Sequence, residues 1–294
     1  MRKIIIAGYG FVGKAVANAI DQTNTVYLVD PKISEQTVKD YPLAEGVIIC
    51  VGTPSTETGE CDVNQIYQVM DTVPVHIPVL LKSTVPPNYL ERLLVNYPDH
   101  SICYSPEFLR AATANKDFAE SKYMVVGGED PEGFWQTLFQ ESLANCKLFF
   151  NVSITEASMI KYATNCFLSV KVAFFNQLYD MCQKNDADYE LVRQVLTHDN
   201  RIGNSHMQVP GPDGERGFGG ACFPKDTDAF IHYCDTLQIS HTLVESAVKY
   251  NKKVGKILDI VKKTYIINKH GESYERLFTR PSSTYTQPRV FTTS

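Results

Sequence analysis

No run of apolar residues in the 294-residue chain approaches the roughly 18 to 20 that a membrane span needs. The opening MRKIIIAGYGFVG is too short and too broken by glycine to be the core of a signal peptide. There is no C-x-x-C pair. The eight cysteines, at 50, 61, 103, 146, 166, 182, 222 and 234, have no regular spacing, which points away from a metal site or a disulfide framework and towards a reducing cytoplasm. A surplus of positive charge is missing too, and the formal net charge of -5 argues against a nucleic-acid partner. What is left, 44% hydrophobic and 21% charged, is an ordinary globular composition, and the length suits two domains of about 150 residues each.

The first stretch with chemical content is KIIIAGYGFVGKAVANAI. A short apolar strand breaks into Gly8-x-Gly10-x-x-Gly13 and continues at helical spacing through Val12, Val16, Ala19 and Ile20. A second strand, TVYLVD, ends at Asp30. Strand, glycines, helix, strand and terminal acid in this order predict a dinucleotide site. Gly8 makes the tight turn, Gly10 lets a pyrophosphate approach the backbone, and Gly13 lets helix and strand pack closely. Phe11 and Val12 open the helix whose N-terminus binds the phosphates. Asp30 accepts from ribose hydroxyls and repels a 2′-phosphate, so NAD is favoured over NADP, with Lys32 beside it.

Apolar runs then alternate with helical stretches. GVIICVGTP (46–54), VLLKSTV (79–85), SICYSPEF (101–108), YMVVGG (123–128) and CKLFFN (146–151) are separated by helices near 62–73, 86–95 and 132–143. Such alternation predicts an α/β fold with a parallel sheet covered on both faces, whose ligands bind beyond the carboxyl ends of the strands. The residues closing these runs, Val51, Gly52, Thr53, Ser83, Thr84 and Glu107, are site candidates, although each also fits an ordinary cap or turn.

From Ile154 to about Lys184 there is neither Gly nor Pro, which predicts one long helix. Its apolar residues Ile160, Ala163, Phe167, Leu168, Val172, Phe174 and Phe175 predict a largely buried rod. Lys161 and Asn165, four apart, share a face and together could hold an oxyanion; the pattern alone better fits a lysine reaching the surface. Helices near 188–197, 224–237 and 240–263 follow. The domains expected are a Rossmann-like unit over 1–151, an all-helical unit with a long central helix over 152–266, and a polar tail over 267–294.

Between the helices lies ERGFGGACFPKD (215–226). Gly217, Gly219 and Gly220 admit positive φ, and Pro224 suits the first position of a helix, so Cys222 falls just before a helix N-terminus. That dipole, with Lys225 nearby, favours a thiolate, and Asp226 returns to the sulfur's side one turn later. A tight loop around a buried free cysteine fits the stretch equally well.

Taken together, GYGFVG, Asp30, VGTPS, STVPP, SPEFLR, KYATN, DNRIGN and GFGGACFPKD resemble the UDP-glucose/GDP-mannose dehydrogenase family over about residues 1–263. The resemblance implies oxidation of carbon 6 of a nucleotide sugar from alcohol to carboxylate with two NAD reduced, most readily on UDP-glucose. It implies that Cys222 captures the aldehyde, that Lys161 and Asn165 hold the oxyanion, and that Asp226, Thr84 and Glu107 position water and move protons. Glu107, Phe108, Leu109, Arg110, Lys161, Asn165, Phe218 and Gly219 would contact substrate, and Arg201 would reach a neighbouring subunit's substrate. Family members usually continue into a second dinucleotide-fold domain that grips the nucleotide, and this sequence shows none. Three other readings stay open: GDP-mannose or another UDP-sugar as substrate, a two-electron hydroxyacid dehydrogenase, and an NAD-binding module without catalysis. A homodimer is expected, because Leu243, Ala247, Val248, Val254, Ile257 and Leu258 form an apolar helix face with nothing after it to cover it.

Overall fold

A computed structural model describes residues 1–267. Its first half is a seven-stranded sheet in the order β2-β1-β3-β4-β5-β6-β7. The strands are β1 Lys3–Ala7, β2 Thr25–Val29, β3 Gly46–Ile49, β4 Val79–Leu81, β5 Ile102–Tyr104, β6 Tyr123–Gly127 and β7 Leu148–Val152. Those of the centre are apolar throughout because both faces are covered. Ile5, Ala7, Val47, Ile49, Val79 and Leu81 face one core with α2 (Asn64–Met70) and α3 (Pro87–Asn96). Ile4, Ile6, Ile48 and Leu80 face the other with α1 (Phe11–Ile20), α4 (Ala114–Ala119) and α5 (Phe134–Ser142).

The sheet is not wholly parallel. β6 runs antiparallel to β5, meeting it at Tyr104 and Gly127, and β7 is parallel to β6. A parallel neighbour needs a crossover that carries the chain back along the sheet. Here the segment after β5 contains only a 3-10 turn and the short α4, which the sequence pattern did not predict, and β6 starts at the edge where β5 ended.

The helical half consists of α6 (Ile154–Lys184), α7 (Tyr189–Leu196), α8 (Phe223–Thr236) and α9 (Thr242–Ile267). α6 starts where expected because Ser153 and Glu156 form a reciprocal capping box: Ser153 N donates to Glu156 Oε2 at 2.7 Å and Glu156 N to Ser153 Oγ at 3.2 Å. Ile154, Ala157 and Tyr162 of α6 and Ala229 of α8 share the core of the sheet's first face, which docks the helical half on the strands.

Two packing expectations are corrected. On α6, Phe167 and Phe174 are 66% and 56% exposed and Met159 and Met181 are exposed with them, whereas Phe175 is buried as expected, and the buried side also carries the polar row Ser158, Lys161, Asn165, Ser169 and Asn176. On α9, Ala247, Val248 and Val254 are buried within the chain, leaving Leu243 bare. The side chains of Ile257 and Leu258, and a tail beyond 267, fall outside what is described.

Candidate active site

The glycine turn lies where β1 hands over to α1. Gly8 has φ +91° and its N–H donates to Val29 O at 2.9 Å; a Cβ there would stand 2.7 Å from Val51 N. A Cβ on Gly13 would overlap Gly8 O at 1.9 Å, so this position enforces the close fit of helix to turn. Gly10, the N-cap of α1, has open space around it, and no side chain caps the helix N-terminus that Phe11 and Val12 begin. Asp30 follows β2 and folds back: Oδ2 accepts from Tyr9 N at 2.7 Å and Oδ1 from Lys32 N at 2.9 Å. The Tyr9 N–H, helped by Lys32, holds its carboxyl below the usual range against the opposing effect of burial. An open glycine, free helix N–H groups and an ionised acid one strand away suit a dinucleotide pyrophosphate and ribose.

Across β3 and β4, Val51, Gly52, Thr53 and Thr84 lie together. Ser83 Oγ donates to Val51 O at 2.7 Å, and Thr53 Oγ1 to Thr84 O at 2.9 Å. Thr53, Ser83 and Thr84 are buried, and it is the Thr84 carbonyl that is bonded here.

α6 brings in the next layer. Lys161 is 2% exposed and does not snorkel. Its Nζ donates to Glu107 O at 2.6 Å and Glu107 Oε1 at 3.1 Å, and stands 5.6 Å from the centre of the Phe108 ring. Glu107 Oε2 accepts from Leu109 N at 2.6 Å. One turn along, Asn165 Nδ2 donates to Asp226 Oδ2 at 2.5 Å, and Lys225 Nζ to Asp226 Oδ1 at 2.5 Å. Asp226 is 1% exposed. A Lys161 ammonium has three donors and the Asn165 amide two, so each retains one N–H for a substrate oxygen.

Cys222 is the N-cap of α8, with Pro224 second in the helix rather than first. The other seven cysteines are buried and Cys222 is half-buried. Gly217 and Gly220 take positive φ, at +82° and +74°, while Gly219 does not. Two asparagines clamp this loop. Asn176 Oδ1 of α6 accepts from Gly217 N at 3.1 Å, and Asn251 of α9 bonds both N and O of Phe218, at 2.6 and 2.8 Å. The charges of Glu107, Lys161, Asp226 and Lys225 act on the thiol. Contrary to the thiolate expected, burial pushes the thiol up; Glu107 and Asp226 add to this while Lys161 and Lys225 oppose it. Lys225 directs its charge at Asp226, and desolvation is the largest influence on the thiol.

Arg110 and Arg201 are outside this cluster of bonds. Arg110 is exposed and pairs with Asp117 at 2.6 Å; Arg201 is exposed and pairs with Asp199 at 2.6 Å. Sequence reasoning missed Lys82, which is 1% exposed and donates to Ser105 O at 2.8 Å and Ser105 Oγ at 3.1 Å. A lysine inside the apolar run VLLKSTV was the signal. Among the described residues no cluster of His, Cys, Asp and Glu could hold a metal ion, and no helix is long and apolar enough to cross a membrane.

Residues 33–141 match the NAD binding domain of the UDP-glucose/GDP-mannose dehydrogenase family, and residues 155–253 match its central domain. The chain is 34% identical over 223 residues to a UDP-glucose 6-dehydrogenase of Rickettsia typhi, covering 72% of this chain and 50% of the relative. A UDP-glucose 6-dehydrogenase of Rhizobium meliloti is 32% identical over 221 residues, with 70% and 49% covered. The chain thus spans about half the length of the curated relatives it matches. In fold it resembles the UDP-glucose dehydrogenase of Pyrobaculum islandicum, with a TM-score of 0.75 at 23% identity, covering 86% of this chain and 68% of that one. It also resembles a Mycobacterium tuberculosis 3-hydroxyisobutyrate dehydrogenase, with a TM-score of 0.68 at 16% identity, covering 86% and 93%.

Proposed function

The chain belongs to the UDP-glucose/GDP-mannose dehydrogenase family, and on that premise we propose that it oxidises carbon 6 of a nucleotide sugar, UDP-glucose first among candidates, from alcohol to carboxylate through a covalent intermediate on Cys222. In this reading residues 1–151 bind the cofactor and residues 152–266 carry the cysteine. The observation that carries it is the surroundings of Cys222, the one cysteine of the eight that is not buried, with two carboxylates and two ammonium groups acting on it.

NAD, when bound, supplies the acceptor for both hydrides, so one sugar yields two reduced cofactors. The turn from Gly8 to Gly13 and the start of α1 would hold its pyrophosphate, and Asp30 its ribose. In the first oxidation the free N–H groups of Lys161 and Asn165 hold the carbon 6 oxygen as its proton leaves to a carboxylate of the site, Asp226 or Glu107. Cys222 enters as a thiol. Its sulfur bonds to the aldehyde carbon while its proton ends on the aldehyde oxygen, giving a thiohemiacetal. Loss of the second hydride and of that hydroxyl proton leaves a thioester. Water attacks with Glu107 accepting its proton, the C–S bond breaks, the thiol regains a proton, and the sugar leaves as a carboxylate. The net change is alcohol plus two NAD⁺ and one water to carboxylate, two NADH and three protons.

We propose a homodimer as well, joined along α6 rather than α9, since Met159, Phe167, Phe174 and Met181 form the exposed apolar stripe. The exposed Arg201 would then serve the substrate of the partner. The test is the NADH yield per sugar on UDP-glucose and GDP-mannose, for the wild type and Cys222→Ser. Two NADH per sugar are expected for the wild type. In the variant, turnover should drop by several orders of magnitude with NAD affinity almost unchanged, the pattern of a lost covalent step. Near-normal turnover with two NADH in Cys222→Ser would make the thiol structural. One NADH per sugar would favour a two-electron oxidation that stops at the aldehyde.

A further inference from the structure

Lys82 is buried, burial pushes the pKa of its ammonium down to about 8, and among the described residues no carboxylate lies within ion-pair distance of it. Burying a charge that way is costly, so its neighbours should show what offsets the cost. It follows β4, and its backbone N–H continues the ladder to Ile49 O at 2.8 Å. The side chain crosses to β5. There Ser105 is already tied to β4 by its own N–H, which donates to Leu81 O at 2.9 Å, and the Lys82 ammonium takes both the Ser105 carbonyl and its hydroxyl. The rings of Phe118 and Phe139, each 5.6 Å away, face the rest of the ammonium. β5 ends at Tyr104, Pro106 has no N–H to give, and the next residue is Glu107. Strand hydrogen bonding thus stops where the chain leaves the sheet for the site, and a lysine side chain takes its place.

Two buried lysines therefore hold one short segment by alternate carbonyls, Lys82 at Ser105 and Lys161 at Glu107. Lys82 also lines, with Glu107, Phe108 and Tyr123, a cavity of about 240 Å³, so little packing on that side would hold the segment if the ammonium were gone. We propose that Lys82 is a positioning residue for the oxidation proposed above: by bonding Ser105 it fixes the exit Ser105–Pro106–Glu107 and so presents Glu107 to Lys161 and Cys222. The inference deepens that functional reading and rests on it only for the role assigned to Glu107.

The experiment compares Lys82→Met and Lys82→Arg with the wild-type protein in two assays. The first is steady-state oxidation of UDP-glucose. Misplacement of a reacting group by an ångström costs about 100-fold, so Lys82→Met should lose roughly 10- to 100-fold in kcat while KM and NAD affinity stay within about threefold. Lys82→Arg, which keeps a cation and its donors, should recover to within about tenfold of wild type. The second assay needs no substrate: the pH at which iodoacetamide alkylates Cys222 at half its maximal rate, a label to which the seven other, buried cysteines are shielded. Glu107 and Lys161 act on that thiol with opposite signs. Displacing them should move the half-point in Lys82→Met by more than about half a pH unit, a factor of roughly three in thiolate. A Lys82→Met protein with wild-type kcat and an unmoved half-point overturns the proposal whatever its melting temperature. If that variant does not fold, Lys82→Gln, whose neutral amide is one bond too short to take both Ser105 oxygens, decides: a moved half-point supports the proposal and an unmoved one overturns it. Should the wild type oxidise no nucleotide sugar, the proposed function fails, and alkylation alone still decides the role of Lys82.

Discussion

Replacing Lys161 by methionine tests the centre of the site, because the cost can be worked out and depends on pH. The change removes the donor to Glu107 O at 2.6 Å and to Oε1 at 3.1 Å, leaving a carboxylate whose side chain is 4% exposed with one remaining partner, the Leu109 N–H. Breaking a buried ion pair from one side costs about 3–5 kcal/mol. The orphaned carboxylate can escape part of that by taking a proton. A glutamic acid ordinarily titrates near 4.3, so holding it protonated costs about 1.36 kcal/mol for each pH unit above that value: about 3.7 at pH 7 and about 1 at pH 5. In the variant the group's affinity for protons is higher folded than unfolded, so its folded state binds more protons and stability falls as pH rises. Urea unfolding of wild type and Lys161→Met at pH 5, 6 and 7 should show a penalty growing from about 1 to about 3–4 kcal/mol. Adding Glu107→Gln should remove most of the pH dependence. A penalty under about 1 kcal/mol at pH 7, or one equal at pH 5 and 7, would refute the buried pair as described.

Three further outcomes are expected. Asp30→Ala should weaken NAD binding by roughly 10- to 100-fold in calorimetry, the worth of lost hydrogen bonds to a charged group, with NADP gaining relative to NAD; unchanged NAD affinity would contradict the assignment. Gly217→Ala places a Cβ 2.2 Å from Asn251 Oδ1 at φ +82°, and the left-handed strain plus the displaced Phe218 clamp should lower the unfolding free energy by about 2–4 kcal/mol, against under 1 for Gly219→Ala, which meets open space. Phe174→Asp should convert the proposed dimer to monomer in light scattering, while Leu243→Asp leaves its mass unchanged. A wild-type protein that is already monomeric at micromolar concentration would end the α6 proposal.

Much of the frame was legible in the residues. The strand and glycine motif predicted a tight turn at Gly8 and a close helix fit at Gly13, and the structure has both; Asp30 follows the second strand as read, with its carboxyl bonded to the Tyr9 N–H of that turn. α6 was legible at both ends, because a stretch without Gly or Pro leaves little else to form. Direction was not legible in the sheet, since alternation of strands and helices implies parallel neighbours only when each connection crosses back, and the one after β5 does not. Nor was the state of the thiol. A dipole and a nearby lysine are visible in sequence, whereas burial is not, Glu107 comes from a segment over a hundred residues earlier in the chain, and Lys225 is paired with Asp226.

The facing of α6 was misjudged for a reason that bears on reading such helices elsewhere. Apolar periodicity identifies a face that avoids water, but nothing in it says whether the cover comes from the same chain. Phe167 and Phe174 satisfy the pattern and stay exposed. The opposite face carried the informative signal: Ser158, Asn165, Ser169 and Asn176 recur with Lys161 at helical spacing, and only Lys161 among them is long enough to reach water from beneath a packed surface. Short polar side chains in such a row must bond to whatever packs on them. Three do, Ser158 to Val85 O, Asn165 to Asp226 and Asn176 to Gly217 N, while Ser169 donates back to Asn165 O of its own helix. With the long side chain in the same row, the economical inference is that Lys161 is buried and paired like its neighbours, and that the polar stripe rather than the aromatic one marks the active-site side of the helix.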